Sequence, residues 1–194
     1  MQYKTHLATS FALGLPLMAS VQQVTPLNLF ALGVGCLLPD IDQPQSFVGK
    51  RNKLFSKVTN KTFGHRGATH SLLALIVLFL LLTFLQVKYL TTAGQPLVFW
   101  LLIGYFLHLL EDTFSKDAVA WLWPFKKKKR RKDKVLFYKT GSVEEYLLLA
   151  LMCCVLLLEL RLITLNRLEN QVLMQQMTRL QQVFESCQNF IEKL

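Results

Sequence analysis

The chain has 194 residues and a formal net charge of +10, a length that suits a single domain. Its residues are 52% hydrophobic and its mean hydropathy is +0.33, which is high for a soluble protein. The charge does not indicate a nucleic-acid-binding protein, because the run of bases at 126–132, KKKKRRK, has no interleaved aromatic residue.

The apolar residues come in five blocks along the chain. The first two, 6–20 and 26–38, flank a short polar stretch and predict a helical hairpin. The third, 71–87, carries no charge, and at about 1.5 Å per residue it nearly crosses a ~30 Å hydrocarbon core. The last two blocks are 96–110 and 146–165. We therefore predict an all-α fold, a polytopic integral membrane helical bundle of about five hydrophobic helices with a C-terminal amphipathic helix.

The first block also has a second interpretation. Lys4 followed by an apolar core and by small residues near Ala19 resembles a signal peptide. The next apolar block follows too soon for a secreted domain, so the sequence favours the hairpin.

Basic residues are concentrated in two segments, 50–66 and 126–132. If the helices alternate in direction, both segments lie on the same side of the membrane. The positive-inside rule makes that side cytoplasmic, which predicts a multi-pass protein of the cell inner membrane. The stretch 126–134 is then a determinant of topology. A more specific interpretation is that this stretch contacts anionic lipid headgroups, where each basic residue can contribute about 1 kcal/mol of binding free energy.

Histidines and aspartates lie at the helix ends on that same face. His108 and Asp112 are four residues apart and share one face of a helix, whereas Asp40 and Asp42 lie between two prolines, which predicts an extended turn. Imidazole and carboxylate groups together suit zinc, with manganese or iron as alternatives, better than they suit calcium or magnesium. We therefore predict a divalent transition-metal centre of one or two ions. The candidate ligands are His6, Asp40, Asp42, His65, His70, His108 and Asp112.

Each candidate ligand also has a purely structural interpretation. His6 alone would fit an interfacial histidine, Asp40 and Asp42 would fit residues that stop a helix, and Asp112 would fit a helix end. The metal hypothesis depends on their joint placement. An acidic residue costs about 2.5–3.5 kcal/mol at the centre of a membrane helix, and intramembrane ionisable residues are usually functional.

Four stretches of the chain resemble a known family. LLPDIDQPQS, HRGATHS and GYFLHLLEDTFS, with the N-terminal THL, are similar to the YdjM-like family of bacterial membrane-bound metal-dependent hydrolases. The resemblance covers residues 1–142 and implies a multi-helix membrane protein with a metal-dependent hydrolase site. By motif position it implies the same seven ligands.

The expected activity is hydrolysis of a phosphate ester in a phospholipid or a related membrane lipid. Arg66 would receive the phosphate anion, because the guanidinium fork matches phosphate geometry. Asp42 and Glu111 are candidate general bases. Two ions about 3.5–4 Å apart could activate water and clamp the phosphate.

Two other functions are compatible with such a cluster. A metal or proton transporter also places histidines and aspartates in the membrane, but it needs polar groups at mid-membrane, and here they are confined to one face. A structural zinc site needs only four ligands, fewer than the seven candidates.

The C-terminal tail is polar and repeats apolar residues with heptad spacing. These are Leu173, Met177, Leu180, Phe184, Cys187, Ile191 and Leu194. The pattern predicts an amphipathic helix that packs on its own domain or the membrane, or a coiled coil that forms a homo-oligomer. The expected division is 1–142 for the hydrolase core, 143–165 for the last transmembrane helix and 166–194 for the tail.

Overall fold

The computed structural model describes residues 1–46, 48–51, 67–89, 94–115, 119–125 and 139–191. Over these residues the chain is helical and contains no strand, so the predicted all-α class is confirmed. The helices are α1 (Tyr3–Ser20), α2 (Pro26–Leu37), a 3₁₀ helix (Pro39–Asp42), α3 (Leu72–Tyr89), α4 (Gln95–Thr113) and α5 (Val143–Ile191). The chain divides into two compact units, Met1–Leu156 and Leu157–Leu194.

Helices α1 and α2 form the predicted hairpin. Thr25 begins α2, because its hydroxyl accepts a hydrogen bond from Asn28 N at 3.1 Å and Pro26 presets the first helical turn. The 12 residues of α2 span only about 18 Å, too short for a ~30 Å hydrocarbon core.

Among the described residues, two helices are long and apolar enough to cross a membrane, Gln95–Thr113 and Val143–Arg167. Leu72–Lys88 is a shorter apolar helix. The predicted number of about five membrane-crossing helices is therefore not confirmed. The apolar blocks were counted without regard to helix length, and α2 is ended early by Pro39.

The backbones of α2 and α4 touch at two glycines. A Cβ atom on Gly35 would overlap the carbonyl oxygen of Leu101, and one on Gly104 would overlap the carbonyl oxygen of Leu32. Small residues allow such close approach between membrane helices. The crossing fixes the C-terminal ends of both helices beside each other.

An apolar core surrounds this crossing. It contains Met18, Ala31, Leu32, Trp100 and Leu107. The Trp100 indole donates a hydrogen bond to Gln23 Oε1 at 2.7 Å, which ties α4 to the hairpin turn. The core therefore holds α1, α2 and α4 together.

The start of α3 is held against the end of α4. Leu72 N donates to the carbonyl oxygen of Trp121 at 3.0 Å, and the Trp121 indole donates to Thr113 Oγ1 at 2.9 Å. As a result, the beginnings of α1 and α3 meet the ends of α2 and α4 in one place.

Candidate metal centre

The structure brings six of the seven predicted ligands together where these helix ends meet. The group consists of His6, Asp40, Asp42, His70, His108 and Asp112, with Glu111 beside it. Their side chains are at most 4% exposed, except that of Asp40 at 14%. His65 and Arg66 lie outside the described residues, as does the basic stretch 126–134.

Four atoms in this group, which we call the quartet, lie close together. They are His70 Nε2, His108 Nε2, Asp40 Oδ1 and Asp112 Oδ2. The two nitrogens are 3.1 Å apart. Asp112 Oδ2 lies 3.5 and 3.7 Å from them, and Asp40 Oδ1 lies 3.7 and 3.8 Å from them. Ligands bound tetrahedrally to zinc at 2.0–2.1 Å are about 3.3 Å apart, and the distances from both oxygens to both nitrogens are close to that value.

His6 lies directly beside the quartet. Its ring stacks on that of His108, with 3.9 Å between the centroids and 18° between the planes. Its Nε2 lies 3.4 Å from Asp112 Oδ1 and has no hydrogen-bond partner within the part of the chain that the structure describes. A buried polar atom without a partner is costly, and a bound cation or a substrate would supply one.

Glu111 orients His6. Its Oε2 is 2.6 Å from His6 Nδ1, and its Oε1 accepts a hydrogen bond from Ser10 at 2.8 Å. A carboxylate bound to one ring nitrogen fixes the tautomer that leaves the lone pair on the other nitrogen. Glu111 was predicted as a general base, and its contacts favour this orienting role.

Asp42 and Thr69 support His70 in a similar way. Asp42 Oδ2 accepts a hydrogen bond from Thr69 Oγ1 at 2.6 Å and lies 3.4 Å from His70 Nδ1. Tyr105 donates its hydroxyl hydrogen to the Thr69 carbonyl. Since these contacts engage Nδ1, the Nε2 of His70 points into the quartet. Asp42 therefore contacts His70 at Nδ1, the ring nitrogen that does not belong to the quartet. Its predicted roles as a ligand and as a base stay predictions.

Local sequence explains where the remaining ligands lie. The 3₁₀ helix carries Asp40 directly after α2, and Ser46 fastens it by donating to the Asp40 carbonyl at 2.7 Å. His108 and Asp112 occupy one face of α4 at the predicted spacing of four residues. The α-amino group of Met1 also lies 3.0 Å from Asp112 Oδ1, so this carboxylate faces positive charge.

Three supporting residues were not predicted from the sequence, Ser10, Thr69 and Tyr105. Ser10 follows His6 by four residues, so helical spacing could have identified it. Thr69 precedes His70 directly, which is a weak signal. Tyr105 is 36 residues from Thr69, and no local pattern connects them.

Replacing Glu111 with glutamine is expected to weaken zinc affinity 10- to 100-fold, the usual effect of losing a residue that orients a metal-binding histidine. Chelator competition on the purified protein measures the affinity. Ser10→Ala is the matched milder change, since it removes only the hydrogen bond to the other carboxylate oxygen. Equal affinity in wild type and Glu111→Gln would contradict the orienting role.

No solved structure matches the chain. It is similar to the inner membrane protein YdjM of Escherichia coli K12, with 44% identity over 89 residues, 46% of this chain and 45% of that protein. The uncharacterized protein YvsG of Bacillus subtilis 168 is 37% identical over 127 residues, 64% of this chain and 73% of that protein. The inner membrane protein YbcI of E. coli K12 is 33% identical over 123 residues, 62% and 66% of the two chains. The match to YdjM therefore spans less than half of that protein's length.

The family described as YdjM inner membrane protein matches residues 1–170, a range that contains every predicted ligand. The family resemblance predicted from the motifs is confirmed. Together with the two long apolar helices, the match supports a location in the inner membrane. The chain belongs to the family of the YdjM inner membrane protein.

Proposed function

We propose that this inner membrane protein is a metal-dependent hydrolase that cleaves a phosphate ester in a phospholipid or a related lipid. The observation that carries the proposal is the spacing of the quartet, whose two nitrogens are 3.1 Å apart and whose two carboxylate oxygens each lie 3.5–3.8 Å from both nitrogens. Such spacing and donor chemistry suit a zinc ion, with manganese or iron as alternatives.

The quartet residues would hold the ion, and the ion when bound would supply Lewis-acid catalysis. Asp40 is the quartet residue with the most exposed side chain, at 14%, so the substrate would approach from its side. His6 would bind the ion through Nε2 as a further ligand, because it groups with Asp40 and His108 and Glu111 holds its Nδ1 at 2.6 Å. Arg66 is proposed to bind the phosphate anion.

A lipid substrate fits the position of the cluster in the fold. The cluster lies at the ends of apolar helices, where a lipid headgroup meets the protein while its acyl chains stay in the bilayer. We propose further that the protein is multi-pass with this end cytoplasmic, since that is the side to which the basic segments belong. The basic stretch 126–134 would then contact anionic headgroups.

Arg66→Ala is expected to lower turnover roughly 100-fold, as is typical when one donor to a developing anion is removed, and to leave the metal content unchanged because guanidinium is not a ligand. The assay incubates zinc- or manganese-loaded protein in proteoliposomes with a panel of lipids and measures released phosphate or headgroup. Arg66→Lys is the matched variant and should recover only part of the activity, since it keeps the charge but loses the fork.

The same proteoliposomes separate the hydrolase from a transporter. Metal flux into the vesicles without any product would reject the hydrolase and support transport. Turnover that is unaffected by Arg66→Ala would remove that residue from the mechanism.

A further inference from the structure

Glu145 is a buried carboxylate far from the quartet in sequence. It lies in the first turn of α5 and is 1% exposed. Its Oε1 accepts the backbone N–H of Gln2 at 2.5 Å, and its Oε2 accepts the backbone N–H of Gly141 at 2.6 Å. A buried charge is costly unless hydrogen bonds compensate it, so these two contacts hold their partners firmly.

Gln2 is the residue on which the first turn of α1 begins. Its carbonyl oxygen accepts hydrogen bonds from Thr5 N at 3.0 Å and from His6 N at 3.1 Å. Its side chain also donates to the Tyr146 hydroxyl at 3.2 Å. The turn that carries His6 is therefore attached to the start of α5 at two points.

We propose that Glu145 is a positioning residue of the metal centre and that it acts through His6. By holding the Gln2 backbone, it fixes the first turn of α1 so that the His6 ring stays stacked on His108 and bonded to Glu111. Both contacts of the His6 ring depend on the position of this turn, the one to Glu111 at 2.6 Å and the stacking on His108 with 3.9 Å between the ring centroids. The inference rests on the proposed function, since it assumes that the cluster binds metal.

Zinc affinity of the full chain in detergent, measured by chelator competition, tests the inference. Glu145→Gln keeps the size of the side chain, but its amide nitrogen cannot accept a hydrogen bond, so one backbone N–H loses its acceptor. We expect zinc affinity to fall about tenfold. Glu144→Gln makes the same change in charge at an exposed neighbour and is expected to leave the affinity unchanged.

A double-mutant cycle separates positioning from general destabilisation. If Glu145 acts through His6, Glu145→Gln should have no further effect on affinity in a His6→Ala background. Losses that add in the double variant would overturn the proposal. Tyr146→Phe removes only the side-chain bond to Gln2, and we expect it to weaken zinc binding two- to threefold in the presence of His6. The Tyr146→Phe variant can therefore test the proposal if the Glu145→Gln protein does not fold.

The proposed function and this inference fail in different ways. A wild-type protein without zinc affinity would overturn both. Tight binding by the wild type with equal affinity in both the Glu145→Gln and Tyr146→Phe variants would overturn the positioning role alone.

Discussion

A protein that carries both Asp40→Ala and His108→Ala is expected to lose its metal. The two substitutions remove half of the quartet, and each three-residue group of candidate ligands among the described residues loses at least one member, whereas a zinc site needs at least three protein ligands. Elemental analysis after purification without chelators should find near-stoichiometric metal in the wild type and less than about a tenth of that in the double variant.

Two comparisons make this result specific. Glu144→Ala removes an exposed carboxylate outside the cluster and should retain the full metal content. His6→Ala should retain the ion with reduced affinity, because it leaves the quartet complete. Full occupancy in the double variant would show that the quartet is not the metal site.

The second large effect is expected at the crossing of α2 and α4. Gly104→Ala places a methyl group on the Leu32 carbonyl oxygen, and this backbone atom cannot turn aside as a side chain can. Overpacking usually costs 1–3 kcal/mol, and here we expect about 3 kcal/mol or more. Reversible unfolding in detergent, followed by circular dichroism, measures the loss.

Gly33→Ala is the matched control for this substitution. Gly33 lies in α2, the helix that Gly104 contacts, but its added Cβ would meet the Phe11 ring at 3.2 Å, and the ring can shift by a few tenths of an ångström. We expect a loss of less than about 1 kcal/mol. A Gly104→Ala protein as stable as the Gly33→Ala protein would mean that the helices are not held by backbone contact.

Sequence reasoning succeeded where the chemistry follows local spacing. His108 and Asp112 were paired because four residues make one helical turn, and Asp40 was placed after a helix end because of the neighbouring prolines. It did not succeed where residues meet through the tertiary fold. Nothing local predicts that Glu145 holds Gln2, 143 residues away.

The predicted number of membrane-crossing helices was not confirmed, for a related reason. Apolar composition measures burial, but it does not distinguish burial in lipid from burial in protein. Helix α1 contains the buried polar residues Thr5, His6 and Ser10, of which His6 and Ser10 contact Glu111, and α2 has only 12 residues. Both helices also contribute residues to the protein core, Met18 from α1 and Ala31 and Leu32 from α2.

The glycine crossing also has a mechanical consequence. Because no side chain lies between α2 and α4 at Gly35 and Gly104, there is nothing to rotate, and the two helices behave as one rigid body that carries Asp40, His108 and Asp112. Helix α1 is attached near the site through side-chain hydrogen bonds, which can break one at a time. We therefore expect the motion that admits or releases an ion to occur in α1. The rate of metal release to an added chelator measures this motion, and Ser10→Ala should increase that rate.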